Sequence, residues 1–183
     1  YLYRLNCGGD DYTDSFGQLW LQDNTNYSHS WAENFKDLNP YLASQRTTND
    51  PIRGTRDWKL FQHFRFGRHQ LEYRFPVADG TYRIELYFTE PWHGTGGSAS
   101  TDCEGLRIFD VAVNDSVVLD DLDIWAESGH DGVCKKVVYA TVTGGMLRIN
   151  FPEVKAGQAL ISGIAIASTN EELKPTVFPA SDW

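Results

Sequence analysis

The sequence predicts an all-β protein, an antiparallel β-sandwich of the jelly-roll kind with long loops at one end. Three observations carry this. From Leu60 onward, short runs of apolar residues alternate with polar ones at a period of two, as strands with one buried face require. Turn dipeptides separate these runs at regular intervals. The 3.6-residue period of an amphipathic helix is scarcely seen. Many short strands punctuated by turns favour a sandwich or jelly roll over an α/β fold.

Taken in order, residues 3–7 read as a first strand that ends at Gly8-Gly9, and residues 19–21 as a second. Residues 24–57 are polar and rich in Asn, Ser, Thr and Pro, yet carry Tyr27, Trp31, Phe35 and Tyr41. A long loop that bears aromatics is commonly a functional one. Residues 71–77 lead through the Asp79-Gly80 turn into residues 81–89, where Tyr82, Ile84, Leu86 and Phe88 alternate with Arg83, Glu85 and Tyr87. Residues 106–113 place Phe109, Val111 and Val113 on one face, and residues 117–124 follow the Asn114-Asp115 turn. Residues 134–142 and 146–151 flank Gly144-Gly145 as a further hairpin. Residues 159–167 are apolar on both faces, the pattern of a central strand covered on both sides. The domain is read as residues 1–168, and residues 169–183, with Pro175 and Pro179, as a tail or linker.

Composition narrows the function. At 183 residues the chain suits one large domain that buries roughly 70% of its unfolded surface. A formal net charge of −9, with no basic stripe, excludes nucleic acid as a partner, because a polyanion must be met by clustered Lys and Arg. No run approaches the ~20 apolar residues of a membrane helix, so no membrane partner is expected. A chain that opens on Tyr1 rather than Met is expected to be a piece of something longer. Aromatics make up 14% of the residues and include six Trp, more rings than a core of this size requires. Cys7, Cys103 and Cys134 cannot all pair with one another; a bridge between Cys103 and Cys134 and three free buried thiols both remain open.

Patterns for catalysis are missing. There is no nucleophile elbow, phosphate loop or paired-His zinc motif. A glycosidase needs two carboxylates across the bond it cleaves, and Glu90, Glu104, Asp110 and Glu153 are the acids to weigh, but an acidic surface accounts for them with no function at all and is the preferred reading. Asp10, Asp11 and Asp14 could chelate calcium, yet they lack the glycine and closing Glu of a helix-loop-helix calcium loop and read as a solvated acidic loop. His130-Asp131 and Asp120-Asp121 read the same way, and no cofactor or metal is expected. Asn26-Tyr27-Ser28 and Asn114-Asp115-Ser116 fit the glycosylation acceptor pattern.

Asn6-Cys7-Gly8-Gly9, followed by Leu60-Phe61-Gln62 with Phe64-Arg65-Phe66, opens an ordered set of motifs that resembles the malectin domain family, with its opening Asn-Cys-Gly-Gly and its Leu-Tyr-Gln segment. Gly80-Thr81-Tyr82 and Leu86-Tyr87-Phe88-Thr89-Glu90 resemble its Gly-x-Tyr and x-Phe-x-Glu strand. Phe109-Asp110-Val111, Val113-Asn114 and Asp121-Leu122-Asp123-Ile124 complete the series. Segments from Gly54 to Gly67, from Glu90 to Gly94 and from Ala156 to Ala159 resemble carbohydrate-binding module family 57, a malectin-like group appended to bacterial glycoside hydrolases, especially those of family 2.

The resemblance implies a malectin fold with a sugar cleft made by loops at one end. By position, the aromatic of the family's first long loop falls on Trp31, with Tyr27 as the alternative. Its Tyr after Leu-Tyr-Gln falls on Phe66, and its aromatic pair after Phe-x-Glu on Trp92 and His93. A family Asp before the last strand falls near Gly157, where there is no acid; Gln158 or Glu153 is its replacement. Physical chemistry supports these positions, since flat rings cover the C–H faces of pyranoses while nearby polar groups bond the hydroxyls. Trp92 is the sharpest case: it follows Pro91 at a strand end and precedes Gly94, Gly96 and Gly97. Trp20, Trp58 and Trp125 read as core or loop anchors, and Asn6 and Asp123 as turn-holding residues.

The expected function is therefore a non-catalytic module that holds an oligosaccharide or polysaccharide and targets a linked glycoside hydrolase. Its expected partners are the glycan and the parent hydrolase domains. Its expected setting is a larger bacterial protein, secreted, periplasmic or at the cell surface. The alternative is a structural or oligomerisation domain of such a hydrolase, with no sugar binding of its own.

Overall fold

The computed structural model describes residues 1–23, 44–68, 71–94 and 102–170. Fourteen strands and two one-turn helices are assigned among them. The larger sheet has six strands: β1 (Tyr3–Cys7), β2 (Tyr12–Thr13), β3 (Leu19–Asp23), β7 (Gly80–Phe88), β10 (Cys134–Val142) and β14 (Gly163–Ser168), in the order β10-β7-β14-β1-β3-β2. A second sheet is built from β6 (Glu72–Pro76), β8 (Ile108–Val113), β9 (Ser116–Leu122), β11 (Met146–Asn150) and β12 (Val154–Ala156). Its order is β12-β8-β11-β6, with β9 pairing to β8. A small third sheet runs β13-β5-β4, from β4 (Ser44–Thr47), β5 (His63–Gly67) and β13 (Ala159–Ile161). Every described ladder is antiparallel except that of β1 with β3.

The expected alternation produces the sandwich. Tyr82, Ile84, Leu86 and Phe88 of β7 are fully buried and face Phe109, Val111, Leu147 and Ile149 of the second sheet in one core. Ring pairs cross the gap between the sheets: Phe88 lies 6.0 Å from Phe109 and Tyr3 lies 5.1 Å from Phe75. Each buried aliphatic or aromatic side chain of this kind contributes about 1.5–3 kcal/mol. On the outer face of β7, Glu85 is also buried, because Tyr1, Arg83, Tyr87 and Lys135 converge on its carboxylate.

Three departures from the sequence reading have physical causes. Residues 159–167 do not form one strand. They are buried as far as Ile166 but divide at Ser162, whose amide donates to Tyr87 O at 2.9 Å and whose carbonyl accepts from Cys7 N at 3.0 Å. This transfers the chain from the third sheet (β13) to the first (β14). Residues 117–124 likewise do not end as a strand, because Asp123 caps α2 (Ile124–Ser128) by accepting from Ala126 N at 3.0 Å. That turn, like α1 (Trp58–Gln62), is too short to show a helical period in sequence. Asp123 also accepts from Gly105 N at 2.6 Å, while Asn6 donates to Asp10 O at 2.8 Å, so both hold turns as read.

The three cysteines are buried thiols, and none forms a disulfide. Thr169 still bonds Thr81 O through its amide and hydroxyl, and residues 171–183 of the tail lie outside the described residues. No helix among the described residues is long and apolar enough to cross a membrane.

Candidate functional site

The third sheet is the floor of a cleft of about 760 Å³, within the range of small-molecule sites. Residues directly opposite in a ladder point to the same face. Leu160 opposite Phe66, and Phe64 opposite Arg46, therefore make a continuous floor with an apolar middle. Thr47 and Thr48 extend it at the β4 end, and Arg68 stands just past the end of β5. The opposing wall is Pro91, Trp92 and His93, which follow β7. Arg107, Gly157 and Gln158 close the side.

Four of the sequence-derived candidates, Phe66, Trp92, His93 and Gln158, thus meet in one cleft although they come from three separate stretches. Trp92 is 72% exposed, so its ring is open to a ligand. Phe66 is half-buried and packs against Phe64 with ring centroids 6.1 Å apart. Trp31 and Tyr27 lie outside the described residues.

Glu90 organises the aromatic wall. Its carboxylate is wholly buried, and Oε1 accepts from Trp92 N at 3.0 Å and His93 N at 3.1 Å. Arg107 clamps the same group in a fork, Nε to Oε2 at 2.5 Å and Nη2 to Oε1 at 3.2 Å, and its Nη1 donates to Gln158 O at 2.7 Å. One buried acid therefore joins the Trp92 loop to the Gln158 loop through charge-assisted bonds. Gly94 completes the turn at φ +91°, where an added Cβ would stand 2.9 Å from Trp125 Nε1 and 3.0 Å from His130 Cβ. Trp125 is thereby a loop anchor, as read from sequence, and Trp20 is a core residue that donates to Asp14 at 3.0 Å.

The departure at Gly157 has a steric explanation. Its φ is +65°, and a Cβ would meet Leu106 O at 2.8 Å, so the position excludes any acidic side chain. Gln158 lines the cleft in its place, and Glu153 is exposed and does not.

Beneath the floor, on the other face of β5, Arg65 is fully buried against Asp23. Nε reaches Oδ2 at 2.7 Å and Nη2 reaches the Asp23 carbonyl at 2.6 Å. The same Oδ2 accepts from the Tyr73 hydroxyl at 2.8 Å and from Gly8 N at 3.2 Å. Burial opposes the Arg65 charge, but the Asp23 carboxylate beside it holds the guanidinium pKa above its ordinary value. Burial, reinforced by Asp23, pushes Cys7 and Tyr73 well up.

Acids elsewhere are engaged in structure. Asp14 accepts from Phe16 N, Gln18 N and Trp20 Nε1, and Asp11 accepts from Gln22 N at 2.8 Å, so these carboxylates fold their own loop. Ligand-type atoms of Asp50, His130 and Asp131 lie within 4.8 Å of one another, as do those of Asp110, Asp120 and Asp121. In the first group His130 turns Nδ1 to His93 O at 3.0 Å and Nε2 to Asp131 Oδ2 at 2.9 Å, so both nitrogens already face protein acceptors. Asp131 is buried rather than solvated, a correction to the sequence reading, and burial pushes its carboxyl up. In the second, Asp110 accepts from Asp121 N at 2.8 Å and Asp121 pairs with Lys155.

Sequence reasoning missed Arg46, Arg68 and Arg107 and weighed Glu90 only as a catalytic acid or part of an acidic surface, whereas it is buried. The signal for Glu90 was its place just past the end of β7, directly before Pro91-Trp92.

Comparison with known proteins agrees with the fold. The model of the malectin domain matches residues 1–170. Malectin of Mus musculus is 26% identical over 149 residues, 81% of this chain and 45% of that protein, and malectin of Danio rerio is 25% identical over 150 residues, 81% and 47%. The chain thus spans about half the length of these curated relatives. Among solved structures, a Bacteroides uniformis β-glucuronidase superposes with a TM-score of 0.71 at 25% identity, covering 92% of this chain and 18% of that one. The plant receptor-like kinase FER superposes with a TM-score of 0.70 at 20% identity, covering 96% and 52%, and shares the fold. With a lectin-like sandwich, the ordered motifs and a match over nearly all of its length, the chain belongs to the malectin domain family.

Proposed function

We propose that the domain is a non-catalytic carbohydrate-binding module whose site is the cleft between Phe66 and Trp92. The observation that supports this most is the convergence of Phe66, Trp92, His93 and Gln158 on one open cleft. A pyranose placed there sets its apolar face on the rings and its hydroxyls toward Gln158, Thr47 and Thr48. Trp31 or Tyr27 of the preceding loop would add a further ring. Against catalysis, no carboxylate lines the cleft among the described residues, and Glu90, buried behind its wall, spends both carboxylate oxygens on Arg107 and backbone amides.

The setting we propose is a larger exported bacterial protein in which this domain targets a glycoside hydrolase. Support comes from the likeness to a segment of a Bacteroides uniformis β-glucuronidase chain of which it covers 18%. A shallow open cleft implies a Kd between about 10 μM and 1 mM, or about 4–7 kcal/mol. Titration against a panel of neutral and acidic oligosaccharides tests the reading. It is sustained by saturable binding that weakens in Trp92→Ala, and lost if no glycan binds.

A further inference from the structure

The cleft reverses the charge of the protein around it. The chain carries a formal net charge of −9, yet three arginines and no carboxylate line the cleft among the described residues. Arg107 is neutralised by the fork to Glu90. Arg46 and Arg68 are not: both are exposed, and neither forms an ion pair with a described residue. Elsewhere Arg65, Arg74, Arg83, Arg107 and Arg148 pair with carboxylates, while Arg4, Arg53 and Arg56 form no ion pair with a described residue, so what sets Arg46 and Arg68 apart is that they share one cleft. Two cations without a described carboxylate partner in one cleft repel each other and raise its potential, a disposition that favours an anionic ligand.

Their placement matches a sugar lying on the floor. Arg46 stands opposite Phe64 in the β4–β5 ladder, and Arg68 lies two residues beyond Phe66, so the aromatic floor is bracketed by a guanidinium at each end. A pyranose that covers Phe66 directs its ring substituents outward along the floor, toward those two groups. The planar fork of a guanidinium matches two oxygens of one carboxylate or sulfate.

Accepting the cleft as a carbohydrate site, we infer that it selects sugars with an anionic substituent, a uronate carboxylate or a sulfate ester, through Arg46 and Arg68. Calorimetric titration with three oligosaccharides of one backbone tests this: a glucuronate-terminated form, its carboxyl-reduced glucose form, and that glucose form sulfated at O6. At least one anionic form should bind about tenfold or more tightly than the neutral one, and the tighter of the two names the substituent. That advantage should shrink in Arg46→Gln and Arg68→Gln, disappear in the double variant, and fall on raising salt to about 0.5 M. Unchanged thermal midpoints would show that these exposed substitutions leave the fold intact. Neutral sugar binding as tightly as both anionic forms overturns the inference while leaving the carbohydrate reading in place. An anionic preference that survives in the double variant also overturns it. Failure of all three sugars to bind overturns the carbohydrate reading as well.

Discussion

Strand β5 places its side chains in two opposite environments one residue apart. On its inner face Arg65 is sealed from solvent and matched by Asp23, Tyr73 and the backbone around Gly8. On its outer face Phe64 and Phe66 floor the cleft, and Arg68 beyond the strand end stays exposed with no described carboxylate partner. The same residue type is thus ion-paired in the core and without a described carboxylate partner in the cleft. Desolvation explains the contrast: a charge taken from water costs several kcal/mol unless paired and hydrogen-bonded, whereas an exposed guanidinium keeps its hydration and can wait for a ligand.

Removing each arginine separates the two faces most strongly. Arg65→Met strands a buried carboxylate and should cost about 3–5 kcal/mol in urea unfolding. Arg68→Met should change stability by no more than about 0.5 kcal/mol. Equal effects would show that the faces do not differ as described. Next in size is Glu90→Gln, which weakens the Arg107 fork and should cost about 1.5–3 kcal/mol while also loosening Trp92 and reducing sugar binding. A loss of binding with unchanged stability would mean that Glu90 acts on the ligand instead. Trp92→Ala, at an exposed ring, should lower sugar affinity by more than about 1 kcal/mol with little effect on unfolding.

The smallest effect near neutral pH concerns the buried thiols. Burial, with Glu127 beside it, pushes Cys134 from 9.0 to about 12. Below pH 9 the thiol is neutral in both folded and unfolded chains, and this contribution to stability is complete. Between pH 9 and 12 the unfolded thiol ionises while the folded one does not, so stability falls as pH rises. Iodoacetamide at pH 8 should label Cys7, Cys103 and Cys134 slowly in the folded chain and rapidly in urea. Rapid labelling of Cys7 in the folded chain would mean that the inner face of β5 opens to solvent.

How legible each feature was depends on its range along the chain. Trp92 could be found because local signals surround it: a strand before it, a proline beside it and glycines after it. Phe66 and Gln158 needed the ordered motifs, since their immediate neighbours would suit a core position equally. Arg46, Arg68 and Arg107 gave no signal, because nothing near an arginine in sequence tells whether it will meet a carboxylate across a sheet. The break at Ser162 was equally hidden: residues 159–161 and 163–168 are buried in two different sheets, and burial alone writes the same apolar run for both.

By itself the sequence determined the sandwich and most of its strands, because a period of two acts between neighbours and needs no knowledge of the partner strand. It also determined the aromatic side of the cleft, through residues whose strand ends and turns are local. Only the tertiary structure decided which charges are spent. Glu90 meets Arg107 and Asp23 meets Arg65 across long stretches of chain, and the ladder register sets Arg46 beside Phe64 in the cleft with no described carboxylate partner. Such pairings follow from sheet order and register, which no local pattern encodes.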